Sequence, residues 1–140
     1  MQLFFIELQV KFKMMGSISE MLKANCECDD VAKCILGLKD LDLKAYKILL
    51  SNGPLTAEKL GKHLGRERST AYRSLQNLIS CGLVYRETHT IDVGGYFYEY
   101  VAVNPAEVRR MLQESVDQWY DKVSHLINKI DKELVGDEMP

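Results

Sequence analysis

The side chains best suited by type and spacing to do chemistry are Ser69, Thr70, Arg73, Gln76 and Asn77. On a helix turning about 100° per residue they gather on one side, opposite a stripe of Ala71, Leu75 and Leu78 that Tyr72 and Ile79 widen. Short polar and basic groups on a helix face suit a DNA major groove. An arginine can grip the guanine edge with two hydrogen bonds, and a glutamine or asparagine amide can do the same for adenine. Ser69 and Thr70 fall at the helix start, where unpaired N–H groups favour a phosphate. Arg66 and Arg68 lie in the corner before this helix and can reach backbone or bases, and Arg86 lies just beyond it. Lys44, Lys59 and Lys62 are weaker candidates for backbone contact. Each of these residues would be equally at home as a solvated surface group, so the reading depends on what positions them.

The cysteines form a second group. Cys26, Cys28 and Cys34 lie within nine residues, and Cys81 is distant. Three readings stand: a metal site, a redox-sensitive cluster, and independent buried thiols. The Cys-x-Cys spacing departs from the two-residue knuckle of common zinc sites, and a structural disulfide is disfavoured in a reducing compartment. The histidines, His63, His89 and His125, are scattered over different elements, and the sequence contains no glycine-rich phosphate loop, HExxH or GxSxG pattern. Asp29 and Asp30 read as helix caps. Neither an enzyme nor a cofactor is expected.

The elements that must hold the polar face follow from punctuation and periodicity. Thr56 caps a helix over Ala57–Leu64 with Ala57, Leu60 and Leu64 on one face, and Gly65 ends it. The helix carrying the polar face spans about Ser69 to Ser80 and is closed by Gly82. Upstream, Asp42 caps a helix whose buried stripe is Ala45, Tyr46, Leu49 and Leu50, stopped by Asn52-Gly53-Pro54. Its partners are Leu60, Leu64, Leu75 and Leu78. Downstream, Leu83–Arg86 and Tyr96–Val103 read as strands joined by a turn with Asp92, Gly94 and Gly95. Tyr96, Phe97, Tyr98 and Tyr100 are expected to pack. Asn104 and Pro105 start a helix to about Leu134, in which Val108, Leu112, Val116, Trp119, Val123, Leu126 and Ile130 approximate a heptad seam.

These elements predict an α+β winged helix-turn-helix over residues 41–103, with an N-terminal extension over 1–40 and an amphipathic dimerisation helix over 104–135. Leu112, Val116, Trp119, Val123, Leu126 and Ile130 are the dimerisation candidates. Within the extension, alternation of Phe4, Ile6, Leu8, Val10, Phe12 and Met14 predicts a half-buried strand. Ser17 or Ser19 then caps a helix with Met21 and Leu22, and Asp29 or Asp30 caps a short one through Val31, Cys34, Ile35 and Leu38.

The 140 residues carry a net charge of −2, distributed unevenly. Residues 39–90 hold nine Lys or Arg against five Asp or Glu, a local +4 inside a remainder of −6. A basic segment in an acidic chain fits a local phosphate-binding face. No apolar run approaches the roughly 18 to 20 residues of a membrane helix, and the opening MQLFFIELQ lacks signal-peptide features, so a cytoplasmic location is expected.

From Leu41 to Leu112, the blocks AYKILL–GPLTAEKLG, STAYRSLQNLISCGLV and VAVNPAEV resemble the TrmB-like family, within the larger MarR-like group of winged-helix regulators. The resemblance implies an archaeal transcriptional regulator that binds duplex DNA as a dimer. It assigns major-groove reading to the helix at Ser69–Ser80, hence to Ser69, Thr70, Arg73 and Gln76, with Arg66 and Arg68 in the preceding turn. Large members carry a sugar-sensing domain beyond the wing; the resemblance does not extend that far, and sugar sensing is not implied. The expected function is sequence-specific duplex DNA binding by a homodimer. The alternative is a winged helix used for protein contact.

Overall fold

A computed structural model describes Leu22 and residues 25–136. The strand expected over residues 1–14 and all but Leu22 of the helix expected near Met21 lie outside the described residues. The chain divides into two compact units, one ending at Asn104 and one beginning at Pro105.

The first unit contains α1 (Cys28–Leu36), α2 (Asp40–Asn52), α3 (Ala57–Leu64), α4 (Arg68–Ser80) and an antiparallel hairpin of β1 (Val84–Thr90) and β2 (Tyr96–Ala102). Leu55 bridges Tyr100 on the free edge of β2, donating to and accepting from its backbone. Helix, corner, helix and hairpin make this a winged helix-turn-helix.

The helix starts show how acidic residues set the termini. Thr56 caps α3, its hydroxyl accepting from the Lys59 N–H at 3.2 Å. Asp42, expected as the cap of α2, sits instead two residues inside it and reaches back to accept from the Lys39 N–H at 3.1 Å. Asp30 does the same for Glu27 at the start of α1, so neither Asp29 nor Asp30 is the cap residue itself. A carboxylate in the first turn can satisfy an orphan donor from inside the helix as well as from the cap position.

The core lies where α2, α3 and α4 meet the hairpin. Ala45, Leu49, Leu60, Leu64, Ala71, Leu75 and Leu78 are buried, as the apolar spacing predicts, together with Leu83, Val84 and Tyr100. Leu50 is an exception: it turns outward on α2, and Leu43 and Asp42 are buried in its stead. Each fully buried leucine contributes about 1.5–3 kcal/mol of transfer free energy. The Tyr46 hydroxyl donates to the Val103 carbonyl at 2.6 Å and ties α2 to the end of the hairpin.

The α3–α4 corner depends on two glycines. Gly65 takes φ +67°, a left-handed conformation that ends α3 at little steric cost. Gly61 lies under the corner itself: a Cβ there would meet the Arg66 carbonyl oxygen at 2.9 Å, while its own carbonyl accepts from the Arg66 N–H. The chain can pass this closely only because Gly61 has no side chain.

The second unit contains α5 (Pro105–Ile127) and α6 (Ile130–Val135). The single helix expected to run to about Leu134 is therefore interrupted at Asn128–Lys129, and Ile130 belongs to a separate short helix. The Lys129 N–H turns to the Leu126 carbonyl, which tightens the end of α5 into a turn. Arg110 pairs with Glu107 and Glu114 along α5, and Gln113 donates to Asp117 at 2.9 Å. No helix among the described residues is long and apolar enough to cross a membrane.

Candidate nucleic-acid interface

One side of α4 is fixed in the core by Ala71, Ser74, Leu75 and Leu78. Helical geometry then turns Ser69, Arg73, Gln76 and Ser80 toward the opposite side. Ser69 and Arg73 are exposed, and Thr70 and Gln76 are half-buried. Arg73 lies along the helix, one guanidinium nitrogen 3.5 Å from the Thr70 hydroxyl. The Ser80 hydroxyl returns to the Gln76 carbonyl.

The flanks of this face differ. On one flank, Asn77 directs its amide at the buried Asp42 carboxylate, with its nitrogen 3.4 and 3.5 Å from the two oxygens. The exposed Asn77 thus joins the end of α4 to the start of α2. On the other flank, Arg68 occupies the first position of α4, not the preceding corner. Its charge reaches Tyr100 of the hairpin and opposes the shift that burial causes there. Burial pushes the Tyr100 hydroxyl above its ordinary pKa, and Tyr72, Arg86, Arg68 and Tyr98 all lie close enough to act on it. Arg66 stays exposed in the corner, and Lys44, Lys59 and Lys62 are exposed.

Alternation sorts the hairpin into two faces. Arg86, Thr88 and Thr90 of β1 share a face with Tyr100, Tyr98 and Tyr96, their direct partners on β2. The Arg86 guanidinium sits 3.9 Å above the Tyr98 ring, and Tyr98 meets Tyr96 edge-on at 5.4 Å. Glu87 and Glu99, directly opposite one another, take the other face with His89 and Phe97. His89 Nε2 is 3.0 Å from Glu99 and 3.6 Å from Glu87, and the ring stacks on Phe97. Of the four hairpin aromatics expected to pack, only Tyr100 is buried; Tyr96 is 63% exposed. Strand alternation together with the turn position separates these faces, but only the register of the hairpin makes Arg86 and Tyr98 diagonal neighbours.

Cys28 opens α1, Cys34 lies on it and Cys26 precedes it; none of the three is in a disulfide. Desolvation first, then the Asp30 carboxylate and the neighbouring thiols, pushes the Cys26 thiol above its ordinary pKa, which lowers its thiolate fraction. Burial raises Cys81 in the same sense. Among the described residues no three His, Cys, Asp or Glu groups converge on a metal position.

The exposed apolar residues concentrate at the other end of the chain. Trp119 is 49% and Tyr120 65% exposed on α5, and Val116, Leu126, Ile127 and Ile130 are also exposed. Leu112 and Val123 are half-buried.

Comparison with known proteins fits this geometry. Residues 33–106 match the family model described as the sugar-specific transcriptional regulator TrmB. An uncharacterized protein of Methanocaldococcus jannaschii is 31% identical over 84% of this chain and 92% of its own. A second protein of that organism is 37% identical over 68% of this chain and 78% of its own. Among solved structures, a possible transcriptional regulator from Methanosarcina mazei Go1 superposes with a TM-score of 0.68 at 27% identity, covering 79% of this chain and 97% of that one. A protein from the archaeon Sulfolobus tokodaii shares the fold with a TM-score of 0.54 at 22% identity, covering 68% of this chain and 93% of that one.

Proposed function

The chain belongs to the TrmB family of winged-helix transcriptional regulators, and from that premise we propose that it reads duplex DNA as a homodimer through the outward face of α4. The observation that carries this reading is the division of α4. Its core stripe of Ala71, Leu75 and Leu78 is buried inside the fold, while Ser69, Thr70, Arg73 and Gln76 remain on the outward side. In this reading Arg73 and Gln76 contact base edges, Ser69 and Thr70 a phosphate, and Arg66, Arg68 and Arg86 the flanking backbone. Asn77 acts from the edge of the face, holding α4 against Asp42.

The homodimer rests on α5. Val116, Trp119 and Leu126 are exposed large apolar side chains on α5, with Leu112 and Val123 half-buried in the same heptad seam and Ile130 exposed beyond it, and such a seam supports a partner helix. A second copy of the same helix is the occupant that closes such a seam symmetrically and supplies a second reading helix for a two-part site.

Duplex binding measured over a series of salt concentrations tests the function. Log affinity is expected to fall linearly with log salt, by about 0.9 per phosphate contacted. Arg73→Ala should lower specific affinity by about 1–3 kcal/mol, the value of a bidentate base contact. Absence of duplex binding at low salt would overturn the reading and favour a protein-contact role for the fold.

A further inference from the structure

We propose that Tyr46 is a positioning residue for two-part DNA recognition: by holding Val103 it fixes the point at which the chain leaves the first unit, and so selects the half-site spacing that a dimer accepts. The inference rests on the homodimeric reading of α4 and adds to it a residue that touches no DNA.

Three hydrogen bonds carry it. Val103 lies just beyond β2, two residues before Pro105, where α5 begins. Both of its backbone groups are engaged. Its N–H donates to the Leu83 carbonyl at 2.8 Å, and its carbonyl accepts from the Tyr46 hydroxyl at 2.6 Å. The Leu83 N–H donates in turn to the Leu78 carbonyl at 2.9 Å, in the last turn of α4. The exit of the chain is thereby bonded on one side to the end of the reading helix and on the other to α2.

The bond from Tyr46 is long-range and buried. Tyr46 is 6% exposed and lies 57 residues from Val103 in the sequence. Its ring is packed on the core side of α2 with Ala45 and Leu49, which places the hydroxyl before any bond is made. Burial pushes this hydroxyl above its ordinary pKa, so it stays protonated and able to donate. The residues after Val103 stiffen the same exit. Pro105 fixes its own φ near −65° and confines Asn104 to extended backbone. One residue, Asn104, therefore separates a clamped carbonyl from a helix start of fixed φ.

Half-site spacing is the property that such stiffness controls. Each base pair added between the halves moves the second half by about 3.4 Å and turns it by about 35°. Two reading helices on stiff exits accept little of this displacement, and two on loosened exits accept more.

The test uses the full chain and a duplex that the wild type selects from a random-sequence library. That duplex is remade with spacers one and two base pairs longer or shorter, and as a single half. Tyr46→Phe keeps the ring and removes the hydroxyl. Its preference for the selected spacer over the others should fall about two- to tenfold, the worth of one net hydrogen bond, with affinity for the single half unchanged. Pro105→Ala loosens the next link and should broaden the accepted spacing in the same direction. Thr56→Ala removes the cap of α3 at a comparable cost in stability and should keep the wild-type spacer preference. A merely structural role for the Tyr46 hydroxyl would lower the melting temperature and leave the spacer preference intact. Tyr46→Phe with the wild-type preference therefore overturns the inference, as does equal broadening by Thr56→Ala; in both cases a wild type that selects a two-part site keeps the homodimeric reading. A wild type that selects no two-part site overturns both.

Discussion

Helices α4 and α5 are both amphipathic, but they use their apolar sides differently. The central apolar stripe of α4 disappears into one chain's core, with Ala71, Leu75 and Leu78 wholly buried. On α5, Val116, Trp119, Tyr120 and Leu126 remain exposed. The first helix is complete in a single chain, so its polar side is free to serve a ligand. The second carries apolar surface that a single chain leaves in water. The pair teaches that the useful signal is not amphipathicity itself but which side the fold has already satisfied.

Breaking the buried side of α4 should have the largest effect. Leu75→Ala removes a wholly buried side chain at the centre of the helical core and should destabilise the first unit by about 2–5 kcal/mol in denaturant unfolding. Removing the exposed anchor of α5 should act on assembly instead. Trp119→Ala is expected to weaken the dimer by about 2–4 kcal/mol in sedimentation equilibrium, with little change in the unfolding of the first unit. If both substitutions altered only folding, the contrast between the helices would fail.

A smaller effect sharpens the comparison at the corner that sets the angle of α4. Gly61→Ala places a methyl group against the Arg66 carbonyl oxygen and should cost about 1–3 kcal/mol, measured by the same unfolding series. Because the corner also sets how α4 presents itself, DNA affinity should fall further than the loss of folded protein explains.

The smallest effect concerns the connection between α1 and α2. Lys33 donates to the Asp40 carboxylate at 2.5 Å, and this bond together with the Lys33 charge holds Asp40 below its ordinary pKa. A carboxylate with a depressed folded-state pKa contributes stability that is present above its unfolded pKa of about 4 and is lost as pH falls through the folded value. The difference in melting temperature between wild type and Asp40→Asn should therefore be small at neutral pH and should shrink below about pH 4.

Most of the first unit was legible in its sequence because its signals are local. Thr56, Gly65 and Gly82 punctuate the helices, and leucines at three- and four-residue spacing name the core. The exceptions are long-range. The contact of the Asn77 amide with Asp42, 35 residues away, is one that no local spacing shows. Tyr98 read as packing because its partner Arg86 becomes its neighbour only through the register of the hairpin. The break at Asn128–Lys129 has no proline or glycine to announce it. Residues whose roles are set by distant partners cannot be assigned by spacing alone.

The central claim, a paired reading helix, is tested most directly by selecting duplexes from a random-sequence library with the full-length chain. The account predicts enrichment of a two-part site whose halves lie one helical turn, about 34–36 Å, or a multiple of it apart. Repeating the selection with Arg73→Ala should relax the preference at one position in each half while leaving the spacing unchanged. A library that returns no enriched sequence, or a single unpaired site unaltered by Arg73→Ala, would contradict it.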